Sequence, residues 1–80
     1  VKSAETVGFE IMRELAKMAK KTDASKISVF AHPEVSSYLS NKDTMMLESI
    51  EEEFSKVIVV RADNNYHIEQ YDVYVHSMNN

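Results

Sequence analysis

Cysteine is absent from the 80-residue sequence, and glycine and proline occur once each. Without thiols the chain can form neither disulfides nor thiolate metal sites, and nothing in it calls for an oxidising compartment, so a cytoplasmic origin is expected. A single glycine excludes the GxxG clamp with which KH domains hold nucleic acid. So little glycine and proline, beside 44% hydrophobic residues, describes a packed unit rather than a linker or a disordered tail. Long apolar runs are lacking too. The longest, Val57-Ile58-Val59-Val60, falls far short of the ~20 residues that cross a bilayer, and no charged segment precedes an apolar one at Val1, so neither a membrane span nor a secretory signal is expected. Positive charge is the minority, with Lys+Arg 9 against Asp+Glu 13 and a net charge of −4, which argues against a strong phosphate-tracking surface.

The length suits one domain, residues 1–80. Such a domain buries roughly 60 to 65% of its unfolded surface, and its stability is expected near the low end of ~5 to 15 kcal/mol. Val1 is not an initiating methionine and the first residues already form a helix entry, so the chain is expected to be part of a longer protein.

Ser3 is placed to cap a helix with Glu5 in its first turn and Lys17, Lys20 and Lys21 in its last. Gly8, Ile11, Met12, Leu15, Ala16 and Ala19 form its apolar stripe. Gly8 costs about 1 kcal/mol of helix propensity relative to alanine and is read as marking the close approach of another backbone. Lys26 to Ala31 reads as a strand with Ile27, Val29 and Ala31 on one side and Phe30 on the other. Pro33 suits the first position of a short helix with Val35, Tyr38 and Leu39 on its apolar edge, ended by Asn41 in a left-handed conformation. His32, just before it, is read as a poor cap. Asp43 is expected to cap a third helix with Met46, Leu47, Ile50 and Phe54 inward and Glu48, Glu51, Glu52 and Glu53 mostly outward.

The β-branched run Lys56 to Arg61 reads as an interior strand. Asp63-Asn64-Asn65 is turn chemistry. His67 to Val75 reads as a last strand, with Tyr71, Val73 and Val75 facing one way and Gln70, Asp72 and Tyr74 the other, joined to its predecessor as an antiparallel hairpin. The two helices between the first and second strands predict a parallel crossover. The expected fold class is therefore a two-layer α/β (α+β) domain of order α-β-α-α-β-β, with a three-stranded mixed sheet and helices mainly on one face. Periodicity does not decide the strand order.

Candidate sites are few. His32, His67 and His76 share no metal-ligand spacing. Glu69 and Asp72, three apart on a strand, face opposite sides and cannot pair as acid and base. The glutamates of the third helix lack the turning loop of a calcium cage. Catalytic, cofactor and metal residues are accordingly expected to be none. Lys17, Lys20, Lys21 and Lys26 gather around the end of the first helix, and Tyr66 with Arg61 could stack on a base. The competing reading is that lysines complement the negative helix end. Of the five methionines (Met12, Met18, Met45, Met46 and Met78), most are expected to fill the core, and some could instead lie in a contact with another subunit. Phe9, on a shoulder of the first helix beside Met12, is the candidate interface anchor.

Three stretches in order carry a resemblance. Ser3-Ala4-Glu5-Thr6-Val7-Gly8-Phe9-Glu10-Ile11-Met12-Arg13-Glu14-Leu15, then Ala31-His32-Pro33-Glu34-Val35-Ser36-Ser37-Tyr38-Leu39, then Glu69-Gln70-Tyr71-Asp72-Val73 resemble the small C-terminal domain that follows the catalytic region of bacterial ribonuclease E/G enzymes. The resemblance spans nearly the whole chain. It implies a parent endoribonuclease that uses magnesium to cut single-stranded, AU-rich RNA in ribosomal RNA maturation and messenger decay, with catalytic aspartates and a paired-cysteine zinc link upstream. No position here matches either. What the resemblance implies for this chain is a non-catalytic structural and oligomerisation domain, partnered by the upstream nuclease domain, by further copies, and by RNA through the parent. The alternative is an accessory RNA-binding module using the basic end of the first helix.

Overall fold

The structure, a computed structural model, describes residues 1–76. Helix α1 runs Ala4–Lys21. It opens where the Ser3 hydroxyl accepts the Thr6 amide at 3.1 Å, satisfying one of the four unpaired N–H groups of a helix start. It closes on Lys20 and Lys21, which suit the negative helix end. Val7, Gly8, Ile11, Met12, Leu15 and Ala19 are buried along one stripe.

Strand β1 (Lys26–Ala31) follows, then helices α2 (Pro33–Asn41) and α3 (Thr44–Phe54), and strands β2 (Val57–Ala62) and β3 (Tyr71–His76). The order is α-β-α-α-β-β, as the pattern predicts, and the sheet is three-stranded and mixed. Strand order is β2-β1-β3. β1 pairs in parallel with β2, Lys26 opposite Val57 through Ala31 opposite Ala62. It pairs antiparallel with β3, Lys26 opposite His76 through Ala31 opposite Tyr71.

Two expectations are corrected by this topology. β2 and β3 are not a hairpin, because β1 lies between them. Strands sit about 4.8 Å apart, so the chain must cross roughly twice that gap, beyond a tight turn. The Asp63 amide bonds back to the Ala31 carbonyl at 2.9 Å, and turns closed by Tyr66 N to Asp63 O and Gln70 N to His67 O carry the chain over the end of β1. Residues 67–70, expected in the strand, belong to this connection. The interior strand is also β1 and not β2. Ile27, Val29 and Ala31 are fully buried, whereas β2 is an edge strand, half-buried at best. Its outer edge is partly covered: the Glu51 carboxylate, turned inward against expectation, accepts the Ile58 amide at 2.8 Å.

The core lies between the helices and one sheet face. Val7, Ile11 and Leu15 of α1, Val35 and Leu39 of α2 and Ile50 of α3 cluster with Ile27, Val29 and Ala31. Among the expected inward residues of α3 only Ile50 is buried, Leu47 and Phe54 being half-buried and Met46 exposed. Met12 is the one buried methionine of the described chain and Met18, half-buried, packs against the core, whereas Met45 and Met46 are exposed, against the expectation that most methionines fill the core. Met78 lies outside the described residues.

Local details depart from expectation for identifiable reasons. α2 ends without a left-handed residue: Asn41 is still helical and Lys42 has φ −106°. The left-handed residue is Ser55 (φ 55°) after α3, where no glycine signals it. His32 does cap α2, its Nδ1 accepting the Glu34 amide at 3.0 Å, as the tautomer protonated on Nε2 allows. Asp43 makes no side-chain cap. Gly8 faces no backbone. A Cβ placed there would lie 2.8 Å from the Tyr38 ring of α2, which is what the small residue admits. Two polar groups fasten the layers. The buried Ser36 hydroxyl of α2 reaches the Ala31 carbonyl at 3.3 Å and the Arg61 carbonyl at 3.0 Å. Lys56 Nζ donates to the Thr22 and Ala24 carbonyls, tying the loop before β1 to the loop before β2.

Candidate functional site

Three concave surfaces carry the residues singled out from the sequence. The first lies between α1 and the outer edge of β3 and encloses about 610 Å³; Lys17 and Lys21 line it with Glu14, Met18 and Val73. Lys20 is exposed but does not line it, and Lys26 stands on another surface. The expected group of four lysines is therefore divided.

The second lies between α1 and α3 and encloses about 620 Å³. Phe9, 61% exposed, stands at its rim, while Met12, 5% exposed, forms its floor. Tyr38, Met46 and Ile50 complete the apolar lining, and Glu5, Asp43 and Glu53 outnumber Arg13 among its charged residues. The sequence reading placed Phe9 and Met12 here and missed Met46. Helical spacing assigned Met46 to the inner stripe, but α3 packs on its neighbours mainly through Ile50, so the residue one turn earlier stays half exposed.

The third is the sheet face turned away from the helices. Alternation along β1 sends Lys26, Ser28 and Phe30 to it, and the register brings Val57, Val59 and Arg61 of β2 and Asp72, Tyr74 and His76 of β3 alongside. A concavity of about 400 Å³ is lined by strand residues alone, Lys26, Ser28, Phe30, Arg61, Tyr74 and His76. Ser28 Oγ lies 2.7 Å from His76 Nε2. The Phe30 and Tyr74 rings meet edge to face, centroids 5.8 Å apart and planes at 78°. Phe30 and Tyr74 are legible from the sequence as residues on the outer side of their strands; that they touch follows only from pairing β3 with β1.

Tyr66 does not stack beside Arg61 as a free aromatic. Its hydroxyl donates to Asp72 Oδ2 at 2.6 Å, and that hydrogen bond, with desolvation and the Asp72 charge, pushes its pKa up to about 12. The raised value belongs to the folded chain, so the contact supports the fold below the ordinary tyrosine range near 10 and is lost as pH rises through about 12. In an ultraviolet titration one tyrosine is expected to ionise near pH 12, and Asp72→Asn should bring it back towards 10. An unchanged titration in that variant would refute the assignment.

Acids and histidines do not converge. Among the described residues no three of His, Cys, Asp or Glu come together as metal ligands could. His32 caps α2, His67 lies in the connection before β3, and His76 ends β3. Glu69, off the strand on which it was expected, accepts the Lys2 amide at 2.9 Å, while Lys2 Nζ pairs with Glu10 at 2.6 Å. That pair and the charge of Glu69 raise the Lys2 pKa. Both Lys2 and Glu10 are substantially exposed, and such pairs add little stability.

A family model described as RNase E/G, Thioredoxin-like domain matches residues 1–76. The chain belongs to the ribonuclease E/G family. It is 37% identical over 76 residues to Ribonuclease G of Haemophilus influenzae, covering 94% of this chain and 16% of that protein. It is 34% identical over 73 residues to Ribonuclease G of Salmonella typhimurium and of Escherichia coli K12, covering 91% of this chain and 15% of each. The chain thus spans less than one fifth of the length of these relatives. Their similarity bears out the kinship that the three sequence stretches imply. The ribonuclease E/G domain in this chain has no cysteine, so the paired thiols of a thioredoxin-type redox motif are not part of it. Among the described residues no helix is long and apolar enough to cross a membrane.

Proposed function

We propose that this chain serves as a non-catalytic structural and oligomerisation domain of a cytoplasmic bacterial endoribonuclease acting in ribosomal RNA maturation and messenger decay. The supporting observation is the α1–α3 groove, which leaves Phe9 and Met46 more than half exposed beside Met12 and Ile50. Exposed aromatic and methionine side chains at the rim of a largely apolar groove are the usual anchors of a subunit contact. On this reading the magnesium-dependent cleavage and the zinc link belong to the upstream part of the longer protein, and RNA is reached through that part.

Oligomeric state tests the proposal. In the intact ribonuclease that carries this domain, Phe9→Ser and Met46→Ser together should weaken subunit association by at least about tenfold in sedimentation, as loss of interface anchors does. The 80-residue chain alone should not cleave RNA with magnesium. An assembly unchanged by the double substitution, or cleavage by the isolated chain that survives removal of contaminants, would overturn it.

A further inference from the structure

We propose that the sheet face turned away from the helices is a docking surface for single-stranded nucleic acid, with bases laid against Phe30 and Tyr74 and the backbone running between Lys26 and Arg61. The surface is separate from the α1–α3 groove, so this role and subunit association can operate together.

Charge is the first ground. The chain carries more acids than bases, yet no carboxylate lines the outer-face concavity, while Lys26, Arg61 and His76 all do. The other two concavities are different: Glu14 lines one, and Glu5, Asp43 and Glu53 line the other. Lys26 and Arg61, two of the nine lysines and arginines of the chain, thus outnumber the one carboxylate of the face, Asp72, and a polyanion is the ligand that such a local excess of positive charge on an acidic molecule favours. Among the described residues neither Lys26 nor Arg61 is held in an ion pair. Asp72, the carboxylate on this face opposite Phe30, has its Oδ2 engaged by the Tyr66 hydroxyl.

Aromatic geometry is the second ground. Phe30 and Tyr74 are edge to face, so the ring that presents its edge keeps both of its own faces clear of its neighbour. Tyr74 is 52% exposed. A base needs such a ring face to stack on, and only an unpaired base can use it, because the bases of a duplex are already stacked on each other. Spacing is the third. Lys26 and Arg61 stand at opposite ends of the face, four residues apart in register, which is about 13 Å along a strand. Tyr74 is paired with Ser28, midway between these two levels on the β3 flank, and Phe30 is level with Arg61. The face thus offers a cation at one end, an aromatic ring half-way along, and a ring beside a second cation at the other end.

Fluorescence anisotropy of the 80-residue chain with a labelled oligouridylate of about ten nucleotides tests this. Binding should weaken with added salt and exceed that of a duplex of equal length. Tyr74→Ala and Arg61→Gln should each weaken it by at least about tenfold. The triple substitution Lys17→Gln, Lys20→Gln, Lys21→Gln should weaken it less than Arg61→Gln does, since Lys17 and Lys21 stand on the α1 side of Tyr74, in the neighbouring concavity. Amide shifts on titration should centre on Lys26, Phe30, Arg61 and Tyr74. Arg61 is exposed on an edge strand, so Arg61→Gln keeps the test decisive if Tyr74→Ala fails to fold. The proposal falls if no binding is seen at low salt, if the duplex binds as well, or if the lysine triple abolishes binding while Arg61→Gln does not. It falls equally if Tyr74→Ala dissolves a self-associated form of the chain, for the face would then be a protein contact.

Discussion

Replacing Leu15 by alanine is expected to lower the unfolding free energy by about 3 kcal/mol, within the 2 to 5 kcal/mol typical of buried leucine truncation. Leu15 is fully buried, in the cluster that joins the α1 stripe to Ile27 and Val29 of the central strand. Removing the γ carbon and its two methyl groups there forfeits their transfer from water and leaves a cavity that a rigid helix and strand cannot close. A small domain loses roughly 4 to 8 °C of midpoint per kcal/mol, so the transition should fall by more than about 12 °C. With a starting stability near ~5 kcal/mol, the variant should be measurably unfolded at physiological temperature. Urea denaturation followed by circular dichroism measures it. Leu47→Ala, at a half-buried position on α3, should cost under about half as much. A loss below about 1 kcal/mol at Leu15 would show that the α1 stripe is not the packing centre.

Gly8→Val is expected to destabilise by about 2 to 3 kcal/mol, the upper part of the roughly 1 to 3 kcal/mol range of small-to-large changes in a tight contact. A Cβ at this position would stand 2.8 Å from Tyr38 Cδ2 and 3.1 Å from Cε2, closer than carbon atoms pack. A branched side chain aggravates the clash and is itself restricted in a helix. Gly8→Ala is a finer test, because the clash opposes a gain in helix propensity of about 1 kcal/mol, and the result should lie near neutral. The informative experiment is a double-mutant cycle. With Tyr38→Ala in the background the valine should lose most of its penalty, giving a coupling above about 1 kcal/mol between the two sites. Additive effects would mean that the ring is not what excludes the side chain.

Elements were legible in this sequence where local signals and tertiary packing agree. α1 follows from the Ser3 cap, the lysines at its end and the apolar stripe, and the structure places the cap and the lysines as read and the stripe nearly so, with Val7 buried in addition and Ala16 only half-buried. β1 was read over the same six residues that form it. The errors arise where chemistry depends on a neighbour distant in sequence. Val57-Ile58-Val59-Val60 has the composition of an interior strand, but its position at the edge is set by where β3 docks, and no residue of β2 encodes that. The hairpin expectation failed for the same reason: Asp63-Asn64-Asn65 does form a turn, with the Asn65 amide bonding Asp63 Oδ1 at 2.9 Å, yet a second turn follows it. The left-handed Ser55 carries none of the usual glycine or asparagine signal.

Of the candidate surfaces, Phe9 with Met12 was legible because a helix repeat fixes which residues share a shoulder. The lysine group was not, since Lys17 and Lys21 lie on one side of the sheet and Lys26 on the other. Helix periodicity says nothing about the strand that follows a loop. The outer sheet face was half legible: alternation exposes Phe30 and Tyr74, but only strand order makes them neighbours.

The central place of β1 also governs the sequence of assembly. It leaves the ribosome before either flanking strand, and its parallel partner begins 31 positions later, its antiparallel one later still. No stretch of ladder can form from adjacent segments, so the sheet must wait for long loops to close, which is slow for entropic reasons. During synthesis the helices can nucleate early, while the backbone of the middle strand stays open on both flanks until Val57–Ala62 arrives, and on one flank until Tyr71–His76 completes the sheet.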